Sequence, residues 1–220
     1  MKIICVTAIC GGYDSLIHTH HPHSRGDDTK FICYTDNPDI QSSLWELRPI
    51  CTEFNGCWDA DVRNAKRHKV MIHEYVDCDY SLWIDGNTVL LNSVSSMVKE
   101  YLIDCDIATF KHPCRICIYD EKRICSELGL DIQEIMDQQM AAYEAEGFPK
   151  DFGLNAGGFI LRRHTNEVKR FNETWWAEIC KYSKRDQLSL NYAVWKTGIK
   201  ILSLEGYWKS DLRTLVGHGL

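Results

Sequence analysis

The sequence predicts an α/β domain with a central, mostly parallel sheet flanked by helices, on three observations. Short apolar runs alternate with longer stretches of helical period. The runs KIICVTAIC (2–10) and LWI (82–84) show almost no polar alternation, which marks strands covered on both faces. Polar residues collect where such runs end: Thr7, Tyr34, Thr35, Asp36, Asp85, Asn87 and His112. Ligands of open α/β sheets bind outside the carboxyl ends of their strands, so this clustering defines one expected crevice. A chain of 220 residues can bury one sizeable core, and no repeat, low-complexity tract or linker divides it. A single domain over 1–220 is expected.

The first strand, 2–10, is broken by Gly11-Gly12. A loop follows with His18, His20, His21 and His23; its Pro22, Ser24, Gly26 and Asp27 favour a solvated loop over a metal site. Strands are expected at 29–37 and 44–50. A helix is expected over 59–76, capped by Asp59 or Asp61, with Arg63, Lys66, Arg67 and Lys69 on little more than two turns. The strand of 82–84 ends in Asp85-Gly86-Asn87, a turn-forming triplet. A helix over 94–104, a strand over 105–113 and two helical pieces split near Gly129 come next. Gly157 and Gly158 precede an apolar strand at 159–161, where small residues admit close approach of a ligand. Helices over 166–184 and 185–198, the latter with Asp186 at its N-cap, lead to a last strand at 199–204 and a polar tail.

Net charge is −6 and the pI about 5.8, so no general basic surface points to nucleic acid. No run approaches the ~20 apolar residues of a membrane span, and no secretory signal opens the chain. The 11 cysteines, several in apolar runs, suit small buried hydrophobes in a reducing compartment, so a cytoplasmic location is expected. Cys114 and Cys117 form a lone CxxC without partners for structural zinc. A P-loop is absent, as is GxGxxG after the first strand.

Asp85 and Asn87 can aim two oxygens at one hard cation, of the kind that bridges substrate phosphates. Arg63 and Arg67, one helical turn apart, are candidates to face a phosphate. Tyr34, Thr35 and Asp36 could hold a nucleobase and ribose.

The series YTDN (34–37), RxxxRxK (63–69), YSLWIDGN (80–87), KHPCRxCIYDE (111–121), GGFxLRRH (157–164) and RDQLSLNY (185–192) resembles a glycosyltransferase-like family long labelled DUF616. Its plant members are involved in mucilage and wall polysaccharides. More broadly the chain resembles GT-A (Rossmann-like) glycosyltransferases, including compact chlorovirus-encoded domains. The resemblance implies Mn²⁺ or Mg²⁺ at a DxD-type position, here Asp85 and Asn87, with His218 completing the shell. It implies sugar contacts by Asn155, Gly157, Gly158 and Gln187, and Asp186 as catalytic base, with inversion if that role holds. The implied partners are a UDP- or GDP-sugar donor and a glycan or glycoprotein acceptor. Two alternatives stand beside transfer: a nucleotide-sugar or carbohydrate-binding domain, and a metal-dependent hydrolase.

Overall fold

The computed structural model describes residues 1–12, 15–17 and 29–216. The elements run β1 (Ile3–Ile9), β2 (Lys30–Thr35), β3 (Glu46–Pro49), α1 (Ala60–Val70), β4 (Tyr80–Ile84), β5 (Thr88–Leu90), α2 (Val94–Tyr101), β6 (Ile107–Lys111), α3 (Ile118–Glu127), α4 (Gln133–Ala145), β7 (Asn155–Arg163), α5 (Asn166–Lys181), α6 (Gln187–Thr197), β8 (Ile201–Leu204) and β9 (Arg213–Leu215). Seven strands form one sheet in the order β3-β2-β1-β4-β7-β6-β8. Every pairing is parallel except those of β7, which runs antiparallel to β4 and β6.

Both faces of the sheet are covered, which explains why its strands lack polar alternation. Ile4, Val6, Ile32 and Ile160 face Val70 of α1, Trp175 and Ile179 of α5, and Leu190 of α6. Cys5, Cys33, Leu82 and Phe159 face Val94, Met97 and Val98 of α2, together with Leu212 from the tail. A smaller cluster joins α3 and α4 to α6 through Ile118, Met136, Tyr143 and Leu188. Ser93 caps α2 by accepting from the Ser96 amide, and Thr165 caps α5 by accepting from Val168. The 11 cysteines are free thiols.

The helix expected over 59–76 is shorter: α1 stops at Val70, and a 3₁₀ turn over Ile72–Glu74 follows. Val70, Met71, Ile72 and Val76 are all buried, more than one face of a straight helix can turn inward, so the chain breaks its helical path. Asp59 stands at the N-cap but makes no capping bond; its carboxylate accepts from Arg63 Nε at 2.7 Å. Gly157 and Gly158 lie inside β7 rather than before it. Ala156 pairs with Phe110 and Ile160 with Thr109, so residues 157–159 bulge out on the β6 side. The polar tail, in which no strand was read from the sequence, contributes β9, which pairs antiparallel with β5.

Candidate active site

The carboxyl ends of β1, β2, β4 and β6 lie on one edge of the sheet, and the antiparallel β7 brings its N-terminal residues to the same edge. Asp85 leaves β4 there, its side chain about half exposed. Trp83 Nε1 donates to Asp85 Oδ1 at 2.9 Å, and the Asp85 amide donates to Gly158 O at 3.1 Å. Asn87 Nδ2 donates to Val216 O at 3.2 Å, and the Val216 amide donates to Asn87 O at 3.0 Å. With the amide nitrogen so used, the Asn87 side chain has its oxygen left to offer a cation. A carboxylate and an amide oxygen at one turn are hard donors, which fits Mn²⁺ or Mg²⁺. The tail is therefore laid across the Asp85–Asn87 turn as far as Val216; His218 lies outside the described residues, as do His18, His20, His21 and His23.

Beside Asp85 is a buried ion cluster. Lys69 Nζ lies 2.5 Å from Asp186 Oδ2 and 4.0 Å from Asp85 Oδ1. Lys66 Nζ donates to Asp186 Oδ1 at 2.8 Å and to Lys184 O at 2.6 Å. Asp186 is buried and has no N-capping bond, because both its oxygens are taken by lysines. Burial would raise its carboxyl, but the two ammonium groups outweigh that and hold it well below the usual range. The lysines differ. Burial lowers both, but Lys69 also faces Asp186 and Asp85 and is shifted up, whereas Lys66, with Arg185 and Lys69 nearby, is shifted down. The backbone is tied from below: Trp175 Nε1 donates to Asp186 O at 3.0 Å, and Arg162 NH1 to Lys69 O at 2.8 Å.

The glycine pair makes room for these groups. A Cβ on Gly157 would stand 2.8 Å from Lys69 Nζ and 2.9 Å from Asp186 Oδ2; one on Gly158 would stand 2.8 Å from Asp85 Oδ2. Gly158→Ala is expected to push the Asp85 carboxylate aside while the sheet survives. Its melting temperature should fall by only a few degrees, with any cation-dependent nucleotide response lost. An unaltered response in that variant would place the cation elsewhere.

Tyr207 and Arg213 close the site from the tail. Burial and the nearby Asp85 push the Tyr207 phenol up. Arg213 is fully buried; its guanidinium lies 4.5 Å from the centre of the Phe110 ring and 4.9 Å from that of Tyr207, with NH2 donating to Tyr207 O at 2.9 Å.

Other expected site residues lie elsewhere or carry other bonds. Arg63 reaches α5, donating to Ile179 O at 2.5 Å and Tyr182 O at 3.3 Å. Arg67 donates to Tyr75 OH and Glu74, over the Trp176 ring. The cations at the site are instead Lys66 and Lys69, which lie on an adjacent face of α1. Thr7 is buried within β1, and Tyr34 is buried with its ring stacked on His68 at 4.0 Å and its hydroxyl donating to Tyr75 O. Thr35 Oγ1 accepts from the Asn37 amide, and Asp36 Oδ2 accepts from the Gly11 amide at 3.0 Å. His112 Nδ1 accepts from the Arg115 and Cys114 amides. The Asn155 amide donates to Asn191 Oδ1 at 2.8 Å, and Gln187 opens α6 partly exposed. Cys10, Asp36 and Asp61 come close enough to share a metal ion, but burial and the two carboxylates push the Cys10 thiol up to about 12, which disfavours the thiolate a metal needs. Lys69 carried a sequence signal that could have found it: it falls within the apolar stripe of α1, where a cation must be paired.

A family described as the TOD1/MUCI70 glycosyltransferase-like domain matches residues 41–216, which include Asp85, Gly157, Gly158 and Asp186. The chain belongs to the TOD1/MUCI70 glycosyltransferase-like family. Among curated relatives of this family member, the probable hexosyltransferase MUCI70 of Arabidopsis thaliana is 26% identical over 140 residues. That match covers 59% of the chain and 24% of the plant protein, so the chain spans only a fraction of its relative's length. Among solved structures, the bifunctional glycosyltransferase WbbM has a TM-score of 0.57 at 12% identity, over 92% of this chain and 38% of that one. The galactosyltransferase LgtC, solved with donor and acceptor sugar analogues, gives 0.51 at 11% identity, over 92% and 73%. The chain thus has a GT-A-like fold. No helix among the described residues is long and apolar enough to cross a membrane.

Proposed function

We propose that the chain is a divalent-metal-dependent glycosyltransferase that moves a sugar from a nucleotide-diphosphate sugar, UDP- or GDP-linked, to a hydroxyl of a glycan or glycoprotein. The observation that carries the reading is the juxtaposition of the Asp85–Asn87 turn with the Lys66–Asp186–Lys69 cluster across Gly157 and Gly158. Breaking a sugar–phosphate bond leaves negative charge on the departing diphosphate, and this edge offers both kinds of group that oppose it. Asp85 and Asn87 would supply oxygens for Mn²⁺ or Mg²⁺, with His218, two residues along the chain from the Asn87-bonded Val216, as a candidate third ligand. The cation would supply positive charge to the diphosphate. Lys69, between two carboxylates, is placed to add its own.

Asp186 is the candidate to accept the proton of the attacking hydroxyl. With both oxygens bound to ammonium groups it holds protons weakly. The role therefore requires that Lys69 turn toward the diphosphate and free Oδ2 when the donor binds. If Asp186 then takes the acceptor proton directly, the product is inverted at the anomeric carbon.

The test is a thermal-shift panel of UDP- and GDP-sugars with and without Mn²⁺. One nucleotide family should raise the melting temperature in the presence of Mn²⁺, by mass action on the folded state, and EDTA should cancel the rise. Release of the nucleoside diphosphate with an acceptor glycan distinguishes a transferase from a binding domain. No shift with any nucleotide sugar would overturn the reading.

A further inference from the structure

The N-terminus of α3 brings together three metal-ligating side chains that the Asp85 site does not use. Cys117 stands at its N-cap, Asp120 lies in its first turn, and Asp151 belongs to the loop between α4 and β7. One donor atom from each, the Cys117 sulfur and two carboxylate oxygens, lies within 4.8 Å of the others. The loop is held there by the Gly153 amide, which donates to Ile116 O at 3.0 Å. The CxxC spacing singles out Cys117, but Asp151 reaches it only through the fold. Cys117 is 5% exposed, yet its sulfur makes no capping bond and no other hydrogen bond among the described residues. Both carboxylates are exposed, and neither forms an ion pair among the described residues. The cations of α3 are paired elsewhere, Lys122 with Asp137 and Arg123 with Glu127. The group of Cys10, Asp36 and Asp61 differs, because its thiol already donates to Asp36 Oδ2 at 3.3 Å.

Two unpaired carboxylates this close repel each other, and a divalent cation between them and the thiol removes that repulsion. A sulfur donor disfavours Mg²⁺ and Ca²⁺, which take oxygen, and suits Zn²⁺, which takes sulfur and carboxylate together. With bonds of about 2.0–2.3 Å, tetrahedral zinc holds its donors about 3.3–3.8 Å apart, a gap that rotation of two exposed carboxylates closes. Three anionic donors around it leave one net negative charge, which the N-terminus of a helix of 10 residues favours. We propose that Cys117, Asp120 and Asp151 bind a Zn²⁺ ion, with water in the fourth position, that pins the loop before β7 to the start of α3. Cys117 gives its proton to solvent as its sulfur bonds the metal. The site does not depend on the transferase reading, since Asp85 and Asn87 offer oxygens alone.

The test is titration of the whole reduced chain with Co²⁺, a stand-in for zinc whose bond to a thiolate absorbs in the near ultraviolet, followed by Zn²⁺. A single equivalent of Co²⁺ should give the thiolate band, and Zn²⁺ should bleach it and raise the melting temperature. The band should persist in Asp85→Ala, and also when the exposed Cys57, Cys114 and Cys180 are all changed to serine. It should vanish in Cys117→Ser. Asp120→Asn and Asp151→Asn should each weaken Co²⁺ binding by about tenfold or more. Asp151 has a φ of 56°, a conformation that asparagine tolerates, so its variant keeps the backbone. A wild-type chain without the band, a band that survives Cys117→Ser, or one lost with the exposed thiols or with Asp85 overturns the proposal. Should Cys117→Ser fail to fold, unchanged Co²⁺ affinity in both asparagine variants overturns it equally.

Discussion

Asp186→Asn is expected to lower the unfolding free energy by about 3–5 kcal/mol, because it leaves two buried ammonium groups facing an amide. Arg185 beside them adds to the repulsion that already lowers Lys66. Urea unfolding should show the loss as a lower midpoint at unchanged slope. Replacing all three residues with apolar side chains (Lys66→Met, Lys69→Met, Asp186→Leu) should recover much of it, since the whole cluster then disappears rather than half of it. The pH dependence follows from the same three-residue cluster. Asp186 has a folded pKa below its unfolded value near 3.8, so its contribution is present above that value and is lost as pH falls below it. The wild-type protein should therefore lose stability more steeply than Asp186→Asn on acidification below about pH 4. A substitution that costs less than ~0.5 kcal/mol would mean that the lysines do not depend on this carboxylate. Activity adds a separate reading. If Asp186 takes the acceptor proton, kcat should fall by about 10²–10⁴-fold while the donor Kd changes little. A fall in donor affinity alone would assign it to holding Lys69.

Asp85→Ala is expected to abolish Mn²⁺-dependent nucleotide binding and to reduce turnover by about 10²–10³-fold, the usual cost of losing one group that opposes charge on a leaving oxygen. The fold should tolerate the change. The side chain is about half exposed, and the hydrogen bond it accepts from Trp83 Nε1 is worth about 1.5–3 kcal/mol. Asn87→Asp should move metal affinity in the opposite direction, because a second carboxylate raises the charge of the site. Calorimetric titration of Mn²⁺ in the presence of UDP or GDP compares the three proteins. If Asp85→Ala retains the cation response, the cation is held elsewhere, and Cys10, Asp36 and Asp61 become the next group to change.

The sheet was legible in the sequence because its strands carry their environment with them. Runs such as 2–10 and 82–84 are apolar on both faces, and only a strand covered by helices on each side buries them. Asp85 was legible for a related reason: a turn-forming Asp-Gly-Asn after such a run marks a carboxyl end, which is where sheets of this class bind ligands. The long helix of 166–184 and the Asp186–Gln187 start of α6 also read directly from period and punctuation.

The direction of β7, the pairing of β9 and the choice of cation were not. Phe159-Ile160-Leu161 is equally apolar in a parallel or an antiparallel strand, and local pattern does not record its neighbours' direction. The tail forms a strand because β5 offers it an edge, which nothing within residues 206–216 specifies. Arg63 and Arg67 look like the stronger phosphate ligands by type and spacing, but α5 turns them to its own carbonyls and aromatic ring. Lys66 and Lys69 meet Asp186 across 120 and 117 residues of chain. The sequence by itself determined the α/β class, the sheet edge at which polar residues gather and the Asp85 turn, because each depends on hydrophobic period and local turn chemistry. Only the tertiary structure decided which cations face Asp186, why residues 157 and 158 must be glycine, and that Asp151 joins Cys117 and Asp120. Those depend on contacts between residues distant in sequence, and the energy of a buried charge or dipole is set by what is packed against it.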